Sequence, residues 1–227
     1  MKWNDHSKDI PKGSHAILSP SRHAFVRYDK SKLFTRYRAD FASDIGDTLH
    51  AYAKDLIKFK KKLTRYHKQQ VELELLRNGI PENVFDIDIL FDNFKNYVND
   101  AIGYQLDPEQ PLKYSDNAYG TADAIAYTER RGDPDFDGEL RIHDLKTGLS
   151  PASMEQLELY AALFFLEYPQ YKVGRTKIIL CIYQNFVDDD DEIVPDIFTE
   201  EPDPERIAHF MDVFVTMDKW VNGFKGD

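Results

Sequence analysis

The sequence ELRIHDLKTG at residues 139–148 is followed by PASMEQLELYAALFFLEYP at residues 151–169 and by TKIILCIYQNFV at residues 176–187. We interpret the first segment as a buried strand. The second predicts a helix that is buried on one face and ends before Pro169. The third is a continuous apolar run, which is typical of a strand in the centre of a sheet. A helix between two such strands predicts an α/β domain.

The flanking segments extend this interpretation in both directions. Residues 114–127 combine β-formers with small residues, and a turn-rich loop at about residues 129–138 joins them to ELRIHDLKTG. These features predict two antiparallel strands. The acidic stretch after residue 187 predicts a surface loop with one short edge strand, and a final amphipathic helix is expected from about Pro204 to Gly223.

Upstream, apolar residues recur at helical spacing over residues 42–69 and again after Pro81. The expected fold class is therefore α/β, with a central mixed sheet flanked by helices and a helical N-terminal part. We place the helical part at residues 1–102 and the core at residues 103–227, and we expect the two to form one integrated domain.

The composition is that of a folded domain without a membrane span or disulfides. Of the 227 residues, 42% are hydrophobic and 13% aromatic, which is too apolar for intrinsic disorder. The best apolar run, residues 161–166, is too short to cross a bilayer, and the N-terminal residues lack the apolar stretch of a signal peptide. The single cysteine, Cys181, excludes an intrachain disulfide and an all-cysteine metal site. We therefore expect a cytosolic protein.

Charge is distributed unevenly along the chain. Residues 1–77 carry 17 Lys and Arg against 9 Asp and Glu, whereas residues 78–227 carry 12 against 31. Such asymmetry hints at contact between the basic part and a polyanion. A lysine-rich helix is, however, more often only a solvated face. The candidate nucleic-acid contacts, all on the helix predicted over residues 42–69, are Lys54, Lys58, Lys61, Lys62, Arg65 and Lys68.

Four short patterns carry the candidate chemistry. In chain order they are GDTLH at residues 46–50, GTAD at 120–123, HDLKTG at 143–148 and QLELY at 156–160. Residues two apart in a strand share a face, so Asp144 and Lys146 point together. The hairpin can bring Asp123 from the preceding strand beside Asp144. Two carboxylates near a lysine suit Mg²⁺ or Mn²⁺ bound with waters.

Each of these residues also has an ordinary structural explanation. Exposed Asp–Lys pairs are common, and a lone helical histidine such as His50 is more often structural than a metal ligand. Asp123 could cap a turn after Gly120. Gln156 and Tyr160 lie four positions apart on one helix face, a spacing of little specificity, since Gln156 could simply cap the sheet edge.

Together the four patterns resemble the RecB-like nuclease branch of the PD-(D/E)XK superfamily. That branch has a helical histidine, a G-x-x-D strand, a D-x-K-T-G strand and a Q-x-x-x-Y helix in this order. The resemblance covers about residues 44–166, and the last two patterns are its most specific part. The upstream SPSRHAF at residues 19–25 also looks like phage-encoded, stand-alone members. The resemblance implies a restriction-endonuclease-like core.

The resemblance also implies roles for individual residues. The implied ligands of a Mg²⁺ or Mn²⁺ ion are the side chains of His50, Asp123 and Asp144 and the backbone carbonyl of Leu145. Lys146 would orient the attacking water or stabilise charge on the phosphoryl group. Gln156 and Tyr160 would organise the site and the scissile strand. Members that hold an iron–sulfur cluster use four cysteines, so Cys181 alone implies that this chain has none.

The implied function is metal-dependent DNA hydrolysis. The resemblance favours an exonuclease in phage or bacterial recombination or DNA processing. A structure- or sequence-selective endonuclease stays open, as does a non-catalytic protein that binds DNA ends or mimics DNA. The expected partners are DNA and a recombination or single-strand-binding protein, with no membrane partner. The expected location is the cytoplasm, which would be that of the host if the gene belongs to a phage.

Overall fold

A mixed sheet of five strands forms the centre of the protein. The computed structural model describes residues 18, 20–130, 132–149, 151–187 and 193–224. The strands are β1 (Asp107–Ser115), β2 (Ala118–Glu129), β3 (Gly138–Lys146), β4 (Thr176–Val187) and β5 (Ile193–Glu200). They lie side by side in chain order, so β1 and β5 are the edges. β3 and β4 are parallel, and the other neighbouring pairs are antiparallel.

Six α-helices are formed by the described residues. They are α1 (Lys30–Asp40), α2 (Ala42–Lys58), α3 (Lys68–Arg77), α4 (Ile87–Gly103), α5 (Glu155–Glu167) and α6 (Pro204–Phe224). α5 is the crossover that makes β3 and β4 parallel, as parallel strands require. None of these helices is both long enough and apolar enough to cross a lipid bilayer.

Helices cover both faces of the sheet. On β4, Leu180 and Ile182 belong to the apolar core beneath α5, which α6 extends through Ile207. Tyr183, the next residue along β4, packs its ring 5.5 Å from that of Tyr97 on α4. Because successive strand residues point to opposite faces, α4 and α5 lie on opposite sides of the sheet. This burial on both faces explains the continuous apolar run of β4 and confirms the predicted α/β class with a mixed sheet flanked by helices.

Most elements predicted from the sequence are confirmed. The antiparallel pair β2–β3 is joined by the predicted loop, and α5, β4 and α6 lie where the patterns indicate. The edge strand after the acidic stretch is β5, although residues 188–192 lie outside the described part of the chain. The strand predicted over residues 114–127 is confirmed from Ala118 onward as β2, but Tyr114 and Ser115 belong to a preceding strand, β1, which begins at Asp107 and was not predicted.

The helix predicted over residues 42–69 was also wrong in its extent, because α2 ends at Lys58. Lys60 adopts a left-handed φ of 53°. Its amide donates to the Ile57 carbonyl at 3.0 Å, and the Lys61 amide donates to the Leu56 carbonyl at 2.8 Å. These two bonds form a Schellman cap, which usually carries glycine at the left-handed position. Because lysine and not glycine occupies this position, the sequence carries no signal that the helix ends here.

The chain divides into two compact units, Met1–Ser43 and Asp44–Asp227. In the first unit, Pro20–Arg27 form a 3₁₀ helix, and Ser19 of the SPSRHAF pattern lies outside the described residues. α1 is capped by Asp29, whose Oδ1 accepts a hydrogen bond from the Lys32 amide at 2.7 Å. The second unit holds the sheet with α3 to α6 and almost all of α2. The boundary predicted near residue 103 therefore falls within this unit.

Candidate active site

Asp144 and Lys146 lie at the end of β3, on the face that α5 covers. Lys146 Nζ donates a hydrogen bond to Asp144 Oδ1 at 3.1 Å and lies 3.0 Å from Oδ2. Asp144 is only 4% exposed, and its Oδ2 accepts no well-aligned hydrogen bond from any described residue. A buried carboxylate is costly unless its charge is compensated, and the Lys146 ammonium supplies a positive partner. Because Oδ2 accepts no well-aligned hydrogen bond from a described residue, it is a candidate ligand atom for a metal ion.

Asp123 on β2 lies beside this pair. Its Oδ2 accepts a hydrogen bond from the Leu145 amide at 3.3 Å and lies 3.3 Å from Nδ1 of His50. Burial raises the pKa of Asp123 to about 8, and the Asp144 carboxylate acts in the same direction. The Leu145 amide and Lys146 only partly oppose this rise in pKa. With Lys146 as the neighbouring cation, Asp123 thus keeps its proton over most of the neutral range, and a bound metal ion would favour ionisation of both carboxyl groups.

His50 reaches the site from α2 and meets a third carboxylate, Glu109 of β1. One ligand atom from each of His50, Glu109 and Asp123 lies within 4.8 Å of the other two. All three side chains are half-buried. An imidazole nitrogen and two carboxylate oxygens at this separation form a donor set that a divalent cation such as Mn²⁺ or Mg²⁺ can bridge.

Glu109 has an unusual backbone for a residue in a strand. Its φ is 52°, in the left-handed region that costs a residue with a side chain. The residues on either side of it pair regularly with β2, which leaves Glu109 opposite Asp123. Such conformations persist where the surrounding structure requires them, and they cluster at functional sites. This conformation accompanies the placement of the Glu109 carboxylate beside His50.

Gln156 and Tyr160 bring α5 into the site. Gln156 Oε1 accepts a hydrogen bond from Lys146 Nζ at 3.0 Å, so the ammonium group lies between Asp144 and α5. Burial raises the pKa of the Tyr160 phenol, and a hydrogen bond from Gln156 opposes that rise. The Tyr160 ring lies directly against Gly120: a Cβ at that position would be 2.9 Å from Tyr160 Cε1. The glycine of the GTAD pattern therefore makes room for the tyrosine of the QLELY pattern.

The loop between β3 and α5 is held by a buried side chain of β4. Gln184 is 3% exposed and pairs in register with Lys146. Its Nε2 donates to the Gly148 carbonyl at 2.7 Å, and its Oε1 accepts from the Ala152 amide at 2.9 Å. One amide group thus fixes both ends of the loop that separates Lys146 from Gln156.

His143 belongs to the HDLKTG pattern but points to the α4 face, away from this site. Tyr183 Oη donates to Asp100 Oδ2 at 2.8 Å, so the His143 Nδ1–H is assigned as the donor to Tyr183 Oη at 3.1 Å. Burial lowers the pKa of His143 to about 3, and the Arg141 charge acts in the same direction. His143 is therefore neutral at physiological pH and is a packing residue.

The chain matches no protein-family model, no curated protein and no solved structure.

The structure brings the residues predicted for the site together. His50, Asp123, Asp144, Lys146, Gln156 and Tyr160 form a connected set through the contacts described above. The Leu145 amide N–H donates a hydrogen bond to Asp123 Oδ2. The predicted role of the Leu145 carbonyl as a metal ligand stays a prediction. The roles of the other residues likewise stay predictions.

The six basic residues do not lie on one helix, contrary to the sequence-based prediction. Lys54 and Lys58 are on α2, Lys61 and Lys62 are in the loop after it, Arg65 is in a 3₁₀ turn and Lys68 begins α3. All are exposed except Lys68, which is half-buried and paired with Asp88. They form a surface at the junction of α2 and α3 rather than a helix face.

Sequence reasoning missed two residues of the site. Glu109 lies between prolines in a segment that resembles a loop, and no pattern marked it. Gln184 did carry a signal, because an amide in the apolar run TKIILCIYQNFV must find hydrogen-bond partners once it is buried.

Proposed function

We propose that this protein is a Mg²⁺- or Mn²⁺-dependent DNA nuclease. The observation that carries the proposal is the convergence of the His50–Glu109–Asp123 group with the buried Asp144–Lys146 pair. Carboxylates and an imidazole form a cation site, and a lysine beside it supplies a positive group that does not depend on the cation. If Asp144 and Lys146 were only a structural ion pair, their stability would not require His50, Glu109 and Asp123 beside them.

The residues present fit a hard divalent cation. Their donors are carboxylate oxygens and one imidazole nitrogen, and the buried Asp144 carboxylate lies beside them with Lys146 as its charge partner. The raised pKa of Asp123 fits too, because a cation would supply the charge that lets both carboxyl groups ionise. When bound, such an ion lowers the pKa of water and stabilises charge on phosphoryl oxygens.

The chain's own residues supply the remaining steps. Lys146 Nζ donates one hydrogen to Asp144 and one to Gln156. These two bonds fix the orientation of the ammonium group and therefore the direction of its third hydrogen. We assign to this ammonium group the orientation of a water for attack or a hydrogen bond to a phosphoryl oxygen in the transition state. Tyr160, wedged over Gly120 and bonded to Gln156, would fix the side of the site where the scissile strand lies.

We propose that the protein belongs to the RecB-like branch of the PD-(D/E)XK superfamily and is an exonuclease of recombination or DNA processing. Support comes from the order of the four patterns and from the contacts that now join them. DNA is the proposed partner, with a recombination or single-strand-binding protein as a second. A protein with this role would work in the cytoplasm, where bacterial and phage DNA is processed.

Incubation with end-labelled linear DNA and with covalently closed circles, in Mg²⁺, Mn²⁺ or EDTA, tests the proposal. We expect cleavage of linear DNA that needs the cation and is abolished by Asp144→Ala. Asp123→Ala should lose nearly all activity. Asp137→Ala is the matched control, since this exposed aspartate pairs with Arg175 away from the site.

Each other outcome has a definite meaning. Cutting of circles would establish an endonuclease, and binding without cleavage in any metal would establish a non-catalytic protein. A folded Asp144→Ala variant with the activity of the parent would overturn the site assignment.

A further inference from the structure

The junction between α2 and α3 is densely basic. Residues 54–68 contain seven Lys and Arg and a single acidic residue, Asp55. Six of these cations form no ion pair with a carboxylate of the described residues: Lys54, Lys58, Lys60, Lys61, Lys62 and Arg65. The loop at residues 59–67, called here the basic loop, contains four of these cations, Lys60, Lys61, Lys62 and Arg65, and Asp55 is the one carboxylate that lines the groove beside it.

Two aromatic side chains in the basic loop are exposed. Phe59 is 65% exposed and Tyr66 is 77% exposed. Lys61 Nζ lies 5.9 Å from the centre of the Phe59 ring, and Arg65 Cζ lies 4.9 Å from that of Tyr66. Neither ring packs against another aromatic ring of the described residues. Each ring therefore has a cation beside it and carbon surface open to solvent.

The basic loop is anchored to α4 despite its exposed rings. Leu63 is 4% exposed, and its amide and carbonyl both bond to the Asn99 side chain, at 2.7 and 2.8 Å. His67 Nδ1 accepts from the Thr64 amide at 2.9 Å, which caps the following turn. Between the anchored ends, Phe59, Lys61 and Leu63 line a groove of about 490 Å³. An anchored loop loses little further conformational entropy when it binds a ligand.

We propose that the basic loop binds single-stranded DNA, with Phe59 and Tyr66 stacking on unpaired bases while the lysines contact phosphates. Single-strand-binding grooves combine these two features, cations along the backbone and aromatic rings for the bases. A duplex keeps its bases stacked on one another and offers the rings no free base. A protein meant only for duplex phosphates would need the lysines alone.

The position of the basic loop relates it to the candidate active site. Lys58, the last residue of α2, is eight positions beyond His50, which corresponds to about 12 Å along the helix. The basic loop therefore begins about two helical turns from His50. This inference rests on the proposed function only in naming DNA as the partner, because binding needs neither cation nor cleavage.

Fluorescence anisotropy in EDTA tests the proposal with labelled oligo-dT and a blunt duplex. Phe59→Ala and Tyr66→Ala should each weaken oligo-dT binding by about tenfold and leave duplex binding unchanged. Phe59→Trp, which keeps an aromatic ring at this position, should bind oligo-dT with the affinity of the parent. Trp220→Ala is the matched control, an aromatic residue of α6 that is 56% exposed. Lys61→Gln should weaken binding of both DNAs and reduce the salt slope for oligo-dT by about 0.7.

Three outcomes would overturn the inference. One is unchanged oligo-dT affinity in both aromatic variants, and another is an equal loss for oligo-dT and duplex. The third is binding to vesicles of phosphatidylcholine and phosphatidylserine without binding to oligo-dT, which would identify an anionic lipid surface instead. Tyr66 is so exposed that its variant should fold normally, and circular dichroism checks this.

The two proposals fail separately. If the parent never cleaves DNA but the aromatic variants selectively lose oligo-dT, single-strand binding stands and the nuclease assignment falls. If the parent cleaves and the aromatic variants bind oligo-dT like the parent, the nuclease stands and the role of the basic loop falls.

Discussion

Tyr160 lies against Gly120 so closely that a Cβ on the glycine would be 2.9 Å from Tyr160 Cε1. Residues of β2 and α5 are thus matched in shape at the candidate site. Distances under 3.0 Å are not tolerated by real Cβ atoms, so a larger residue at position 120 must displace the ring.

Gly120→Ala should therefore lower cleavage by about ten- to a hundredfold, because displacement of a positioning residue misaligns the reacting groups. The free energy of unfolding should fall by about 1–3 kcal/mol from overpacking. Gly46→Ala is the matched control: its Cβ would lie 3.5 Å from Thr147 Oγ1, an ordinary contact. This helical substitution should keep activity and stabilise the protein by about 0.5–1 kcal/mol. Parent-like turnover in Gly120→Ala would show that Tyr160 plays no part in cleavage.

The raised pKa of Asp123 predicts how stability depends on pH when no metal is bound. Between about pH 3.8 and pH 8 the folded protein keeps a proton on Asp123 that the unfolded chain has released. The free energy of unfolding should then decrease as pH rises through this interval, and the loss should be complete above the folded pKa. Asp123→Asn removes this contribution.

Denaturant unfolding in EDTA at a series of pH values measures the effect as the difference between variant and parent. Added Mn²⁺ should restore the stability of the parent at pH 8 and release a proton on binding. Asp137→Asn serves as control, because Arg175 holds the pKa of that exposed carboxyl below its usual range. A parent and an Asp123→Asn variant with parallel pH profiles would contradict the assignment of the raised pKa.

The proposed metal ligands and Lys146, the group proposed to act in the transition state, should differ in their effect on Mn²⁺ affinity and on turnover. His50→Ala removes a ligand atom from the group within 4.8 Å and Glu109→Gln replaces its carboxylate by a neutral amide, so both should weaken Mn²⁺ binding. Lys146→Ala should lose about a hundredfold or more in turnover while Mn²⁺ binding survives. Calorimetric titration with Mn²⁺ measures the first quantity and a cleavage assay the second. Equal loss of Mn²⁺ affinity in all three variants would mean that the roles are assigned wrongly.

Gln184 should act on cleavage through the loop it holds. Gln184→Leu removes the bonds to Gly148 and Ala152 and should destabilise the fold by about 1–3 kcal/mol. Turnover should fall while Mn²⁺ affinity stays, since Gln184 is no ligand. Asn185→Leu is a control of equal burial that faces α4 and bonds to the Ile89 carbonyl. It should lose similar stability and keep the turnover of its folded fraction; an equal turnover loss in both variants would deny Gln184 a positioning role.

The β3–α5–β4 crossover could be predicted because its signals are local. Burial on both faces makes β4 continuously apolar, and Pro169 closes the helical pattern before it. The convergence of His50, Asp123, Asp144 and Lys146 could also be expected, because each lies within a short pattern on α2, β2 or β3; their roles stay predictions.

What could not be predicted depends on tertiary context. The end of α2 requires a left-handed residue, and Lys60 takes that conformation without the glycine that would announce it. β1 contains Pro108 and Pro111, which favour a loop when judged locally, yet an edge strand tolerates them. Glu109 shares that segment, and only the pairing with β2 brings it opposite Asp123.

The prolines of the edge strands also limit how far the sheet can grow. Pro108 and Pro111 in β1 and Pro195 in β5 have no N–H to offer an incoming strand. β5 would otherwise be at risk, because Ile197 and Phe198 are exposed on it. Prolines in edge strands are one of the devices by which sheet proteins discourage edge-to-edge pairing, and this chain has them at both borders.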